Sequence, residues 1–182
     1  MEVVTDSTDI YQDQPSKQLE YLMRRFGKQV VKLAYYHLRD RHLAEDIAQE
    51  VFCRVYQNLD TFRHDSSYYT WIYRITVNLC RDYIRSAYSR RVFTLDNAKH
   101  LESGEDPIDR LLERIEGGEV FQKVMDLPIK YRMVTVLYYF EEMSTVEISR
   151  ILDIGESTVR TRLCRARKML KDVLSGEAGI IG

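Results

Sequence analysis

Between residues 145 and 170 the apolar positions follow a helical period twice, with a short break between. No other stretch constrains the fold as tightly. Ile148, Ile151, Leu152 and Ile154 face one way on and just after a short first helix. A tight turn covers residues 153–156. Val159, Leu163, Ala166 and Leu170 then fall at i, i+4, i+7 and i+11, which is one buried stripe on a second helix. Turning each residue by about 100° places Ser157, Arg160, Thr161, Cys164, Arg165 and Lys168 on the outward side, with Arg162 and Arg167 on the flanks. A short helix, a tight turn and a cationic second helix form a helix-turn-helix, whose second helix enters a major groove. Arginine can present two parallel donors to guanine O6 and N7, while Ser and Thr serve either base or phosphate. Flanking cations neutralise phosphates and set register. A merely solvated arginine face is the plainer alternative, and the conjunction of all three features favours DNA. Cys164 either contacts a thymine methyl or is incidental.

Elsewhere the chain is also helical in pattern, and 8 Gly and 3 Pro in 182 residues disfavour a β-rich fold. Residues 16–39 carry Leu19, Leu22, Phe26, Val30 and Leu33 on one stripe. Residues 42–58 turn Ala44, Ile47, Ala48, Val51 and Val55 inward. Residues 62–67 read as a polar loop, in which Ser66 or Asp65 caps a third helix over 68–88 with Ile72, Ile75 and Leu79 on its apolar side. Gly104 and Pro107 mark 91–115 as a linker, partly helical after Pro107. A helix over 115–125 is interrupted at Gly117-Gly118, and Pro128 opens the next, through Phe140. The short helix of the pair covers 144–152, and the last runs from 157 to about 174. The predicted class is all-α: two small helical domains, 16–90 and 116–174, joined by an acidic linker over 91–115. Residues 1–15 read as a flexible N-terminus and 175–182 as a frayed tail.

The net charge of −1 hides a segregated pattern. Residues 81–91 carry +3 and residues 156–171 carry +5, with −5 over 96–119 between them. No apolar run is long enough to span a bilayer and the first fifteen residues lack a secretory pattern, so the expected place is the cytoplasm. Cys53, Cys80 and Cys164 are scattered singly, which argues against a disulfide framework; Cys53 and Cys80, within apolar helical patterns, are expected in the core. His37, His42, His64 and His100 lack ligand spacing, no nucleophile–base pair stands out, and no Gly-x-x-x-x-Gly-Lys loop occurs. Neither metal, cofactor, small-molecule substrate nor catalytic activity is expected.

Two features of the first half remain. The 42–58 helix carries Glu45, Asp46, Gln49, Glu50 and Arg54 opposite its apolar stripe, which alone reads as a solvated face. Residues 62–74 crowd Phe62, Tyr68, Tyr69, Trp71 and Tyr73 beside basic and hydroxyl groups. Aromatic faces stack unpaired bases, and a pocket at a loop–helix junction can hold a flipped base. Trp71 shares a side with Ile75 and Leu79 and reads as core, whereas Tyr68 and Tyr69 fit either role.

Taken together these stretches resemble the extracytoplasmic-function sigma factors, the smallest group of the sigma-70 family. The resemblance is carried by Leu43-Ala44-Glu45-Asp46-Ile47-Ala48-Gln49-Glu50-Val51-Phe52, by Thr70-Trp71-Ile72-Tyr73-Arg74-Ile75-Thr76-Val77-Asn78 extending to Arg81-Asp82-Tyr83-Ile84-Arg85, and by Leu127-Pro128 with Tyr131-Arg132 followed by residues 157–167. It covers most of residues 20–172, and its specificity lies in the combination.

The resemblance implies a factor that binds core RNA polymerase and directs initiation at promoters without catalysing anything itself. Asp46, Gln49, Glu50 and Arg54 would dock on the coiled coil of the largest polymerase subunit. Arg63, His64, Asp65, Ser66 and Ser67, with Tyr68 and Tyr69, would capture a base flipped from the −10 element. Asn78, Arg81 and Arg85 would lie against duplex DNA just upstream. Ser157, Thr158, Arg160, Thr161, Arg162, Cys164, Arg165, Arg167 and Lys168 would serve the −35 element, with the domain resting against the β flap. The acidic linker would thread polymerase channels, and an anti-sigma partner is implied. Relatives often carry Pro in place of Gly155 and Gly in place of Ser157, and Glu156 sets an anion near phosphates while favouring the helix N-terminus. A stand-alone regulator would explain residues 128–172 and leave the aromatic segment and the Asp46–Gln49–Glu50 face unused.

Overall fold

The computed structural model describes residues 14–62, 65–91 and 118–178, with side chains omitted at 88–91 and 176–178. The expectations for residues 1–13, for Arg63 and His64, for 92–117 and for the last four residues lie outside this range. All regular structure among the described residues is helical, and the chain divides into two compact units, 1–89 and 90–182.

In the first unit α1 spans Pro15–Leu38, α2 Arg41–Asn58 and α3 Tyr68–Arg91, with a 3₁₀ turn at Leu59–Thr61. Proline suits the start of α1, because its missing N–H lies among those the first turn leaves unpaired. Arg39 ends α1 in the left-handed region at φ 58°, and the Asp40 carboxylate then accepts the Leu43 N–H at 3.0 Å to cap α2. The two helices thereby form a hairpin. Leu22, Phe26, Val30 and Ala34 of α1 close on Ala44, Ile47, Val51 and Val55 of α2 and on Ile72, Leu79 and Cys80 of α3. Each fully buried aliphatic side chain contributes about 1.5–3 kcal/mol relative to exposure.

Two expectations are corrected here. The cap of α3 is Ser67, whose hydroxyl accepts the Thr70 N–H at 3.2 Å; Asp65 and Ser66 precede it. Cys53 is exposed, since it follows Val51 by two residues, about 200° around the helix. Cys80 is buried, and desolvation pushes its thiol up to about 12, which makes it inert.

The second unit contains α4 (Glu119–Asp126), α5 (Ile129–Tyr139), α6 (Thr145–Leu152) and α7 (Glu156–Ala178). Arg132, 8% exposed, turns back and donates through Nε and Nη2 to the Leu127 carbonyl at 3.3 Å each. This tie closes the α4–α5 corner and gives the Leu127-Pro128…Arg132 pattern a structural cause. Ser144 opens α6 with a capping box, accepting the Glu147 N–H at 3.3 Å while its own N–H reaches Glu147 Oε2 at 2.9 Å. The Ser144 hydroxyl donates to Glu147 Oε2 at 2.6 Å, and this bond first, with the Ser144 N–H second, favours the ionised carboxyl and holds Glu147 below the usual carboxylate range. Asp153, left-handed at φ 53°, makes the turn into α7. Gly155 has no positive φ, and a Cβ there would meet only ordinary contacts at 3.7 and 3.8 Å, so its difference from relatives leaves the turn intact. Ile148, Ile151, Leu152, Val159, Leu163 and Ala166 are all buried. Ile154 and Leu170 are half-buried, and the last helix continues four residues past the expected end, through Ala178.

Candidate nucleic-acid interface

On the recognition helix α7 the exposed side chains are Ser157, Thr158, Arg160, Thr161, Cys164, Arg165, Arg167 and Lys168, with Arg162 half-buried. The stripe Val159–Leu163–Ala166 fixes that face, because burying it leaves one orientation for the rest of the helix. Glu156 is not aimed at the groove as a free anion. Its Oε1 accepts the Thr145 hydroxyl at 2.6 Å and Arg160 Nη2 at 2.6 Å. It thus ties α6 to α7 and steadies Arg160, and these two hydrogen bonds hold its carboxyl below the usual range, Thr145 contributing most. A polar cleft of about 330 Å³ opens beside the start of α7, lined by Lys130, Tyr131, Ser157, Thr158, Thr161, Arg162 and Arg165. Lys130 and Tyr131 come from α5 and were absent from the sequence-based set. The patterned residues around them gave no sign of which would face α7.

In the first unit Asp46, Gln49, Glu50 and Arg54 are exposed on α2, opposite its buried stripe, and Glu45 is half-buried in an ion pair with Arg41 at 3.1 Å. Arg54 sits near the C-terminal end of α2, with its Nε donating to Glu50 Oε1 at 3.0 Å. There Arg54, Asn58, Thr61, Phe62, Trp71, Ile75 and Asn78 line a cavity of about 260 Å³. Phe62 and Trp71 supply its aromatic wall, their ring centroids 4.7 Å apart. Its polar rim is ordered: Asn58 Nδ2 donates to the Arg54 carbonyl at 2.8 Å, and Thr61 Oγ1 donates to the Asn58 carbonyl at 3.0 Å.

The aromatic segment is therefore divided differently from the sequence-based reading. Tyr68 is 5% exposed, and its hydroxyl accepts from Gln18 Nε2 at 2.7 Å, so it supports Phe62 from within the core, 4.4 Å away. Tyr69 is half-buried against Tyr73 at 4.2 Å. Trp71, expected in the core, is half-buried and opens onto the cavity. Asp65 and Ser67 are exposed and Ser66 half-buried. Of the residues lining this cavity, Asn58, Thr61 and Ile75 were absent from the sequence-based candidates, although Trp71, Ile75 and Asn78 repeat at i, i+4 and i+7. Asn78 is exposed at the cavity rim, Arg81 is half-buried, and Arg85 is exposed and paired with Asp82 at 3.5 Å. No group of three or more His, Cys, Asp or Glu side chains among the described residues could hold a metal ion.

Fold and site define a helical DNA-binding protein, with a helix-turn-helix unit whose last helix exposes a cationic face and an aromatic-walled cavity in the first unit. The family descriptions Sigma-70 region 2 and Sigma-70, region 4 match residues 22–90 and 119–170. The chain is 35% identical over 180 residues to the ECF RNA polymerase sigma factor SigW of Bacillus subtilis, covering 93% of this chain and 87% of that one. It is 36% identical over 135 residues to the ECF RNA polymerase sigma-E factor of Escherichia coli K12, covering 69% and 70%. Among solved structures, the sigma factor RpoE of Bartonella quintana, in complex with the anti-sigma factor NepR, shares the fold at a TM-score of 0.67 and 16% identity, covering 87% of this chain and 98% of that one. The chain belongs to the sigma-70 family, as an extracytoplasmic-function RNA polymerase sigma factor.

Proposed function

We propose that this sigma factor divides promoter recognition between its two units, with the cavity at the α2–α3 end as the seat of an unpaired −10 base. The cavity carries this reading. Its aromatic wall offers a stacking surface, and Arg54, Asn58, Thr61 and Asn78 offer polar groups to a base edge. Capturing an unstacked base favours the open strand over the duplex and so promotes melting. Residues 63–67, immediately after Phe62, lead the strand in, and Arg81 and Arg85 extend a basic side along α3 for the upstream duplex. Asp46, Gln49 and Glu50 form the docking face for the polymerase coiled coil, and Arg54 serves both surfaces. The α7 face reads −35 DNA. An apolar groove of about 680 Å³, lined by Val120, Val124, Tyr139, Phe140, Leu170 and Leu174 among others, suits an apolar segment of the β flap. Polymerase performs the catalysis in the cytoplasm, and an anti-sigma factor covers these surfaces when initiation is not required. No helix among the described residues is long and apolar enough to cross a membrane.

The test is binding of holoenzyme to fork DNA carrying an unpaired −10 strand. Phe62→Ala is expected to weaken it by about 1–3 kcal/mol, the worth of one base–aromatic stack. Asn78→Ala, at an exposed position that leaves packing intact, is expected to weaken it as well. Fully duplex −35 DNA should be bound as before. Unchanged fork affinity in both variants would remove the cavity from the mechanism.

A further inference from the structure

Glu156 stands at the start of α7 and has no part in the division of promoter recognition between the two units. An anion on a DNA-facing helix is repelled by phosphates, so its presence there calls for a compensating contact. The side chain is fixed through one oxygen. Oε1 accepts the Thr145 hydroxyl and an Arg160 Nη2 N–H, each at 2.6 Å. Thr145 belongs to α6, eleven positions away, and Arg160 stands one turn further along α7. The carboxylate is therefore braced from both helices of the pair. Both bonds end on Oε1, and among the described residues Oε2 accepts no hydrogen bond. An ionised carboxylate accepts through both oxygens and donates through neither. Oε2 is thus an oriented, unused acceptor at the end of the recognition helix that meets base edges in a helix-turn-helix.

The major groove offers such an acceptor two donors, the N4 amino group of cytosine and the N6 amino group of adenine; guanine and thymine present acceptors at this edge. Adenine sets its N7 lone pair beside the amino group, where it repels a carboxylate oxygen, and cytosine sets none there. Resting on the assignment of α7 to the −35 element, we infer that Glu156 is a base-reading residue that selects cytosine in that element. Arg160 offsets its charge, so the residue discriminates without adding a net anion to the DNA face. Thr145 is a positioning residue that holds the carboxylate from α6. On any other base the acceptor is left unpaired in a desolvated interface, and the discrimination arises there.

The experiment uses holoenzyme made from the full chain and core RNA polymerase, selecting on promoters randomised across the −35 element. The parent is expected to prefer cytosine at one position by about five-fold or more, the usual weight of one base pair. Glu156→Ala should lose that preference and keep the others. Glu156→Gln keeps an acceptor for Thr145 and Arg160 and adds an amide donor, so it should move the preference at the same position toward adenine. Thr145→Val should weaken the cytosine preference by about two- to five-fold, and Thr145→Ser should restore it. On promoters lacking that cytosine, Glu156→Ala should bind at least as tightly as the parent, because an anion has been removed. The inference is overturned if Glu156→Ala relaxes only the position that Arg160→Ala relaxes, since the carboxylate then acts through the arginine. It is overturned as well if the variant weakens binding to every promoter alike, or if the position it alters prefers a base other than cytosine in the parent. If Arg165→Ala relaxes a −35 position and Glu156→Ala none, this inference alone is lost; if neither alters any position, the assignment of α7 fails and the inference falls with it.

Discussion

Asp46→Ala combined with Gln49→Ala is expected to lower affinity for core RNA polymerase by on the order of a hundred- to a thousand-fold. Both side chains are exposed on α2 and sit one turn apart. Beneath them Ala44, Ile47, Ala48 and Val51 are buried, so truncating the exposed face leaves the helix anchored. Central interface side chains can cost about 2 kcal/mol or more each on truncation, and about 4 kcal/mol together is close to a thousand-fold. The loss should appear in a direct titration of labelled protein with core polymerase, while −35 duplex binding by the isolated protein stays at its original level. Polymerase affinity within about two-fold of the parent would rule out this face as the docking surface.

Leu163→Ala is expected to have the largest effect on stability. Leu163 is 3% exposed in the middle of the α7 stripe, between Val159 and Ala166. Removing a buried leucine costs the transfer term and leaves a cavity, about 2–5 kcal/mol together. The second unit is small, and domains of its size have only about 5–15 kcal/mol in total. Its melting temperature should therefore fall by roughly 10 °C or more, and −35 DNA binding should be lost on warming well before that of the parent. Thermal unfolding by circular dichroism reads this directly; a shift under about 3 °C would mean that the stripe is not the buried one.

Most of the fold could be read from periodicity alone. Val159, Leu163 and Ala166 repeat at helical spacing, as do Ile47, Val51 and Val55, and burying those rows determined which cations face outward. Cys53 shows where local composition misled: it lies in an apolar run but on the wrong side of the turn. The cap of α3 was placed at Ser66 or Asp65, one or two residues early, because Asp65, Ser66 and Ser67 are adjacent and all competent; the hydroxyl that accepts the Thr70 N–H is that of Ser67. The cavity was the least legible feature. Its lining comes from the end of α2, the 3₁₀ turn, Phe62 and α3, and only packing brings Arg54 near Asn78. Tyr68, which fitted either role by sequence, is buried with its hydroxyl accepting from the Gln18 amide on α1, fifty positions away, and Trp71, expected in the core, faces the cavity instead. The α5 contribution to the recognition cleft was hidden for the same reason.

The most direct measurement is run-off transcription from fragmented bacterial DNA by core RNA polymerase, with and without this protein. New, discrete start sites that share −35 and −10 elements are the expected result, and their sequences would define the promoter that α7 and the cavity read. No new starts, despite stable DNA binding by the protein alone, would contradict promoter-directed initiation.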